Sequence, residues 1–135
     1  MYGAILGDII GSPFEFDRGN KTKEFDLFTK GCDFTDDSVM TIAVGEALLA
    51  VGTEATVKEI EEALVTNMQD WGKRYPYAGY GGRFRYWLRE SNPKPYGSYG
   101  NGSAMRVSAA GWLYDSLERT REVARATANV THNHP

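Results

Sequence analysis

Two carboxylates and a hydroxyl stand side by side at Thr35-Asp36-Asp37. Oxygen donors of that kind suit a hard divalent cation such as magnesium or manganese. The same three residues also read as a helix start, a threonine cap followed by acids that the macrodipole favours. Glu15 sits in the turn Gly11-Ser12-Pro13-Phe14-Glu15, with Asp8 close upstream, and by composition alone it is a surface-loop acid. The stretch Tyr75-Pro76-Tyr77-Ala78-Gly79-Tyr80-Gly81-Gly82-Arg83 alternates aromatics with glycine. It suits stacking on a base or ribose with backbone N–H groups turned to phosphate, and equally a mobile helix connection. Tyr99-Gly100-Asn101-Gly102-Ser103-Ala104-Met105-Arg106 leads a turn into a helix. The first amides of such a helix either bind an anion or are capped by Asn101 or Ser103. The P-loop spacing is absent, which disfavours a nucleotide triphosphatase.

The elements that must hold these residues are helices. Gly3 to Gly11 is small and apolar around one acid, Asp8. Glycine costs about 1 kcal/mol against alanine inside a helix, so its three glycines predict a buried helix with very close neighbours, ended by Pro13. Phe14 to Asp33 reads as irregular chain. Thr35 caps a helix whose Val39, Met40, Ile42, Ala43, Val44, Ala47, Leu48 and Val51 are apolar nearly all round, a central helix that Gly52 stops. Thr56 and Glu59 form a capping box, and Val57, Ile60, Leu64, Met68 and Trp71 follow at amphipathic spacing. Arg83–Glu90, Ser103–Ser116 and Leu117–Val130 are further helices. No stretch sustains strand alternation, so the class is all-α.

At 135 residues the chain is one domain, 1–135. Fifteen Lys and Arg against 18 Asp and Glu give a net charge of -3, which excludes a general basic nucleic-acid footprint and offers an anionic membrane nothing. No apolar run approaches the ~20 residues of a membrane helix. The start, Met1-Tyr2-Gly3-Ala4, lacks the charged region of a signal peptide. A single cysteine, Cys32, excludes an internal disulfide framework and predicts a reducing, cytoplasmic compartment. His132-x-His134 has no third nitrogen ligand for zinc. The sequons at Asn20, Asn101 and Asn129 are chance matches without a leader.

In this order, the stretches resemble the ADP-ribosylglycohydrolase family, which includes the dinitrogenase reductase-activating glycohydrolases and the ADP-ribosylhydrolases. The likeness lies in Gly3-Ala4-Ile5-Leu6-Gly7-Asp8 with Gly11-Ser12-Pro13-Phe14-Glu15, and in Phe34-Thr35-Asp36-Asp37-Ser38-Val39-Met40-Thr41. It continues through Gly79-Tyr80-Gly81-Gly82-Arg83-Phe84-Arg85, Gly100-Asn101-Gly102-Ser103-Ala104-Met105-Arg106 and Thr131-His132-Asn133-His134-Pro135. The resemblance implies an orthogonal multi-helix bundle with a two-metal magnesium or manganese centre. It implies hydrolysis of the glycosidic bond joining ADP-ribose to a protein side chain or small acceptor. By motif match, Thr35, Asp36 and Asp37 would be metal ligands. Glu15 and Asp36 would be catalytic, Glu15 as acid/base or water-positioning group. Gly81 and the Gly100, Asn101, Gly102, Ser103, Met105 turn would bind substrate, with the phosphates and distal ribose on the turn, and His132 would contact the ADP-ribose pocket.

The resemblance also implies an Asp-x-Asp-Thr type segment further along, which completes the metal centre in the family and is not in this sequence. The chain therefore reads as the N-terminal portion of such a domain, with the C-terminal half lacking. Three expectations follow: a fragment inactive by itself, half of a split or self-associating enzyme, or a non-catalytic ADP-ribose-binding module. A helical half-domain leaves an apolar face uncovered, which predicts self-association or a complementing C-terminal half.

Overall fold

The computed structural model describes residues 1–16, 19 and 22–134. Asp17, Arg18, Asn20, Lys21 and Pro135 lie outside them, and with them the Asn20 sequon, part of the irregular stretch and the end of the Thr131–Pro135 motif. All regular structure among the described residues is helical, so the all-α expectation holds.

The centre is α2 (Asp36–Val51), and its ends are set by local chemistry. Thr35, just outside in extended backbone, accepts the Asp37 N–H at 3.3 Å, and Asp36 and Asp37 fill the first turn. Val39, Met40, Ala43, Val44, Ala47 and Leu48 are buried, so the helix is covered on most of its sides. The next helix, α3 (Val57–Arg74), opens on the expected capping box. The Thr56 N–H donates to Glu59 Oε2 at 2.8 Å, and the Glu59 N–H donates to Thr56 Oγ1 at 3.3 Å. Ile60, Leu64, Met68 and Gly72 recur every fourth residue and form its buried stripe, and α3 packs on α2.

Gly72 lies where α3 meets the end of α4 (Gly82–Trp87). A Cβ there would stand 2.8 Å from Leu88 Cδ1 and 3.0 Å from its Cδ2. Leu88 is itself buried and has little room to retreat. We expect Gly72→Val to destabilise the fold by about 1–3 kcal/mol through overpacking, read as a lower urea midpoint with an unchanged slope. A neutral midpoint would mean that Leu88 repacks freely.

The expected helix Ser103–Ser116 is broken. It becomes α5 (Gly102–Met105), a 3₁₀ turn (Val107–Ala109) and α6 (Ala110–Leu113). The break falls at Arg106, at φ -101 and ψ -3. Two tertiary bonds account for it. The Met105 carbonyl accepts the Thr41 hydroxyl at 3.1 Å instead of serving only its own helix, and the Arg106 side chain reaches across to the end of α7. That last helix, α7 (Leu117–Asn129), is capped by Ser116, which accepts the Arg119 N–H at 3.1 Å. It closes the core with Val123 and Ala126, and Val130 follows at its end.

The first helix, α1 (Tyr2–Gly11), departs from expectation. No residue in it is buried, and Gly3, Gly7 and Gly11 face open space. The close neighbours predicted from its glycines are absent among the described residues; α1 touches α2 on its other side. Tyr2 and Leu6 are exposed with it. No helix among the described residues is long and apolar enough to cross a membrane.

Candidate active site

The site begins with a carboxylate that sequence reading passed over. Asp8, on α1, accepts four hydrogen bonds at the start of α2. They come from the Thr35 N–H at 2.8 Å, the Thr35 hydroxyl at 2.6 Å, the Ser38 N–H at 3.1 Å and the Ser38 hydroxyl at 2.6 Å. These amides are the orphan donors of a helix N-terminus, and an anion there also meets the positive end of the helix. Asp8 therefore fixes the backbone from which Asp36 and Asp37 project.

Those two side chains are crowded. Burial, and then the Asp37 charge, push the Asp36 carboxyl up to about 6, with Glu15 and Asp8 adding to it. Asp37 is raised as well, first by burial and then by Asp8 and Glu15. Gly79 passes close beside them at φ 103; a Cβ there would lie 3.3 Å from Asp36 Oδ1 in a backbone region that favours glycine.

Glu15, Asp36 and Asp37 form one side of a cleft of about 510 Å³. Gly81 lies on its wall beside Gly79 and Gly82, and Gly100, Asn101, Gly102 and Met105 lie on it with His132. The cleft thus gathers every predicted site residue except Thr35 and Ser103. The Thr35 hydroxyl is taken up by Asp8 and the Asp37 N–H. Ser103 lies inside α5, off the wall.

Two expectations change. The helix behind the Gly100 turn is four residues long, too short for a macrodipole of consequence, and Asn101 makes no side-chain cap bond. The tyrosines of 75–80 do not line the cleft. Tyr75 stacks on Trp71, Tyr77 points to solvent, and Tyr80 is buried against Phe84. The cleft's aromatics are Phe16, Phe84, Tyr96 and Tyr99.

Opposite in charge to the carboxylates, Arg83 and Arg106 also line it. The Arg83 guanidinium sits 4.7 Å from the Tyr96 ring centre. Arg106 is 1% exposed, and burial pushes its pKa down to about 10. Its Nη2 donates to the Thr127 carbonyl and to Thr131 Oγ1, both at 2.8 Å, while its buried Nε has no partner. Among the described residues the ion pairs are Lys58–Glu62, Lys73–Asp70 and Arg119–Glu122, so no carboxylate compensates Arg106. His132 is held at both ring nitrogens, Nδ1 to Thr131 Oγ1 at 2.7 Å and Nε2 to the Gly100 carbonyl at 3.0 Å. Burial lowers its pKa against the pull of that carbonyl, and Arg106 and His134 lower it further.

Asp8, Arg83 and Arg106 were absent from the sequence-based site. Asp8 and Arg106 both stand inside motifs quoted there, and their positions were the available signal. For a hard cation the donors fit in kind, being carboxylate and hydroxyl oxygens whose crowding a positive charge would relieve. In number they fall short, since among the described residues no three His, Cys, Asp or Glu side chains gather closely enough to hold a metal ion.

The profile of one family, ADP-ribosylglycohydrolase, matches residues 1–135. The chain is similar to ADP-ribosylhydrolase ARH3 of Homo sapiens, with 31% identity over 98% of this chain and 43% of that protein. The Mus musculus ARH3 is likewise 31% identical, over 98% of this chain and 42% of its own length. The Xenopus tropicalis ARH3 is 29% identical, over 98% and 43%. The chain therefore spans less than half the length of the curated relatives it matches.

Proposed function

The chain belongs to the ADP-ribosylglycohydrolase family, and from that membership we propose that its cleft binds ADP-ribose and serves hydrolysis of the glycosidic bond to a modified side chain or small acceptor. One observation carries the reading: a single cleft is lined by three carboxylates and two guanidinium groups. ADP-ribose carries a diphosphate between two ribosyl groups, so it needs both a cation-rich seat and an acidic reaction end.

In this reading Thr35, Asp36 and Asp37 hold magnesium or manganese. A divalent ion held there would supply charge to lower the pKa of a bound water and help orient ribose hydroxyls. Glu15 faces the cleft as the acid/base or water-positioning carboxylate for a bond that breaks through an oxocarbenium-like state. Asp36, with its pKa near 6, holds a proton at a carboxylate oxygen more readily than an ordinary acid does. The Gly100–Met105 turn, with Ser103 behind it, receives the phosphates and distal ribose, Gly81 flanks the substrate, and His132 lies against the same pocket. A lone free thiol, Cys32, suits a reducing cytoplasmic setting.

A second reading, a non-catalytic ADP-ribose-binding module, is favoured by the incomplete ligand set among the described residues. The open glycine face of α1 supports a partner there, either a second copy or a complementing C-terminal half. Calorimetry separates these readings when run with ADP-ribose, with and without magnesium, on protein whose mass is fixed by light scattering. Binding with release of ADP-ribose from a modified peptide supports the enzyme. Binding without release supports the module, and no binding removes both.

A further inference from the structure

We propose that Arg106 is a positioning residue of the cleft: through Thr131 and His132 its guanidinium fixes the Gly100 carbonyl, and with it the turn against which a ligand's phosphate is seated. The phosphate half of this rests on the ADP-ribose reading above; the relay itself does not.

The direction of the relay follows from the atoms. A carbonyl only accepts, so the 3.0 Å contact to Gly100 requires the hydrogen on His132 Nε2. In the neutral ring Nδ1 is then an acceptor, and Thr131 Oγ1, 2.7 Å away, donates to it in preference to the Ala128 carbonyl at 3.5 Å. That hydroxyl in turn accepts the Arg106 Nη2–H at 2.8 Å. Donation thus runs one way, from Arg106 to Thr131 to His132 to Gly100. A buried guanidinium with no carboxylate is costly, and chains of aligned hydrogen bonds polarise one another. The relay uses that charge to make the His132 N–H a better donor.

The turn is held from two further directions. The Thr131 carbonyl accepts the Tyr96 N–H at 3.3 Å and the Ser98 N–H at 3.1 Å, so the end of α7 grips the strand of chain that feeds the turn. Thr41 grips its exit through the Met105 carbonyl. Beneath the turn, Arg106 Nη1 lies 3.7 Å from the point a Cβ on Gly102 would occupy. The unpartnered Nε leaves the guanidinium with donor capacity to spare next to the cleft. A ligand anion would supply the countercharge that the described residues leave out.

The test uses the whole chain and the variants Arg106→Met and Thr131→Val. Nitrogen NMR of the histidine rings reports the His132 tautomer; titration reports its midpoint. Calorimetry compares ADP-ribose with adenosine, which lacks phosphate. We expect the Nε2–H tautomer in the unaltered protein. In Arg106→Met the His132 midpoint rises, because a neighbouring positive charge is gone. Both variants weaken ADP-ribose by about tenfold or more, the loss of a charge-assisted hydrogen bond, and leave adenosine unchanged. An Nδ1–H tautomer in the unaltered protein overturns the relay without any variant, so the test survives a variant that fails to fold. Equal losses for ADP-ribose and adenosine reduce Arg106 to a structural residue and also overturn the proposal. If the unaltered chain takes up no ADP-ribose, the functional reading falls, while the tautomer still decides whether Arg106 holds Gly100.

Discussion

Asp36→Asn is expected to melt higher than the unaltered protein at neutral pH and to lose any stabilisation by magnesium or manganese. The native Asp36 carboxyl titrates near 6 against an ordinary 3.8, so the folded state binds this proton more readily than the unfolded one. Stability from this group is therefore highest in acid, falls as pH rises from 3.8 to about 6, and stays reduced above that. Asparagine removes the charge and with it the repulsion from Asp37 and Glu15. Discounted for the part of the carboxyl that faces water, the gain is about 1 kcal/mol, or about 3–5 °C for a domain of this size. The gain should vanish near pH 4, where the native carboxyl is already protonated. Differential scanning calorimetry across pH, with and without each metal, reads both effects. A variant that melts lower at pH 7, or that keeps a metal-dependent rise, contradicts the role given to Asp36. A site residue whose removal stabilises the fold is the usual mark of function held at the expense of stability.

The second large effect is expected at Asp8. Asp8→Ala removes the acceptor of two amides and two hydroxyls at the start of α2, and Thr35 and Ser38 have no other acceptor as well placed. Hydrogen bonds to a charged group contribute about 1.5–3 kcal/mol each in favourable settings, but four sharing one carboxylate do not add. A loss on the order of 2–4 kcal/mol is expected, seen as a drop in the urea midpoint. Asp8→Asn, which retains an acceptor oxygen, should recover part of it. The loss should also reach the cleft, because Asp36 and Asp37 project from the turn that Asp8 holds. A midpoint within error of the unaltered protein would show that water satisfies those donors equally well.

The cleft's Asp36 and Asp37 were legible in the sequence because at Thr35-Asp36-Asp37 a helix-start signal and a candidate chemistry coincide. A threonine cap and two first-turn acids mark a helix start whatever else they do, so their placement needed no tertiary knowledge. The Gly100 turn was legible as a cluster of turn-forming residues, although neither Gly100 nor Gly102 takes a positive φ there. Asp8 was not, since its partners lie 27 and 30 residues away and nothing near it signals them. Arg106 fell within the helix expected over Ser103–Ser116 and was given no role of its own; arginine is rarely buried without a partner, and here a carbonyl and a hydroxyl stand in for one. The same tether breaks the helix expected over Ser103–Ser116, a case of long-range bonds overriding local propensity. The reading of α1 failed differently. Its three glycines led to the expectation of close neighbours, but among the described residues nothing approaches them.

The presence of both charge signs in one cleft has a consequence for whatever enters. A socket lined evenly would admit an elongated ligand either way round, and half of its encounters would be unproductive. Here an anion turned toward α2 meets Asp36, Asp37 and Glu15, and the amides that could have welcomed it are already occupied by Asp8. On the same wall stand Arg83 and, almost wholly buried, Arg106. Like charges in a partly desolvated space repel far more than they do in water, so while no cation covers the three carboxylates an anion is expected to settle away from them. Asp8 enters that preference indirectly, by holding the helix start from which Asp36 and Asp37 project.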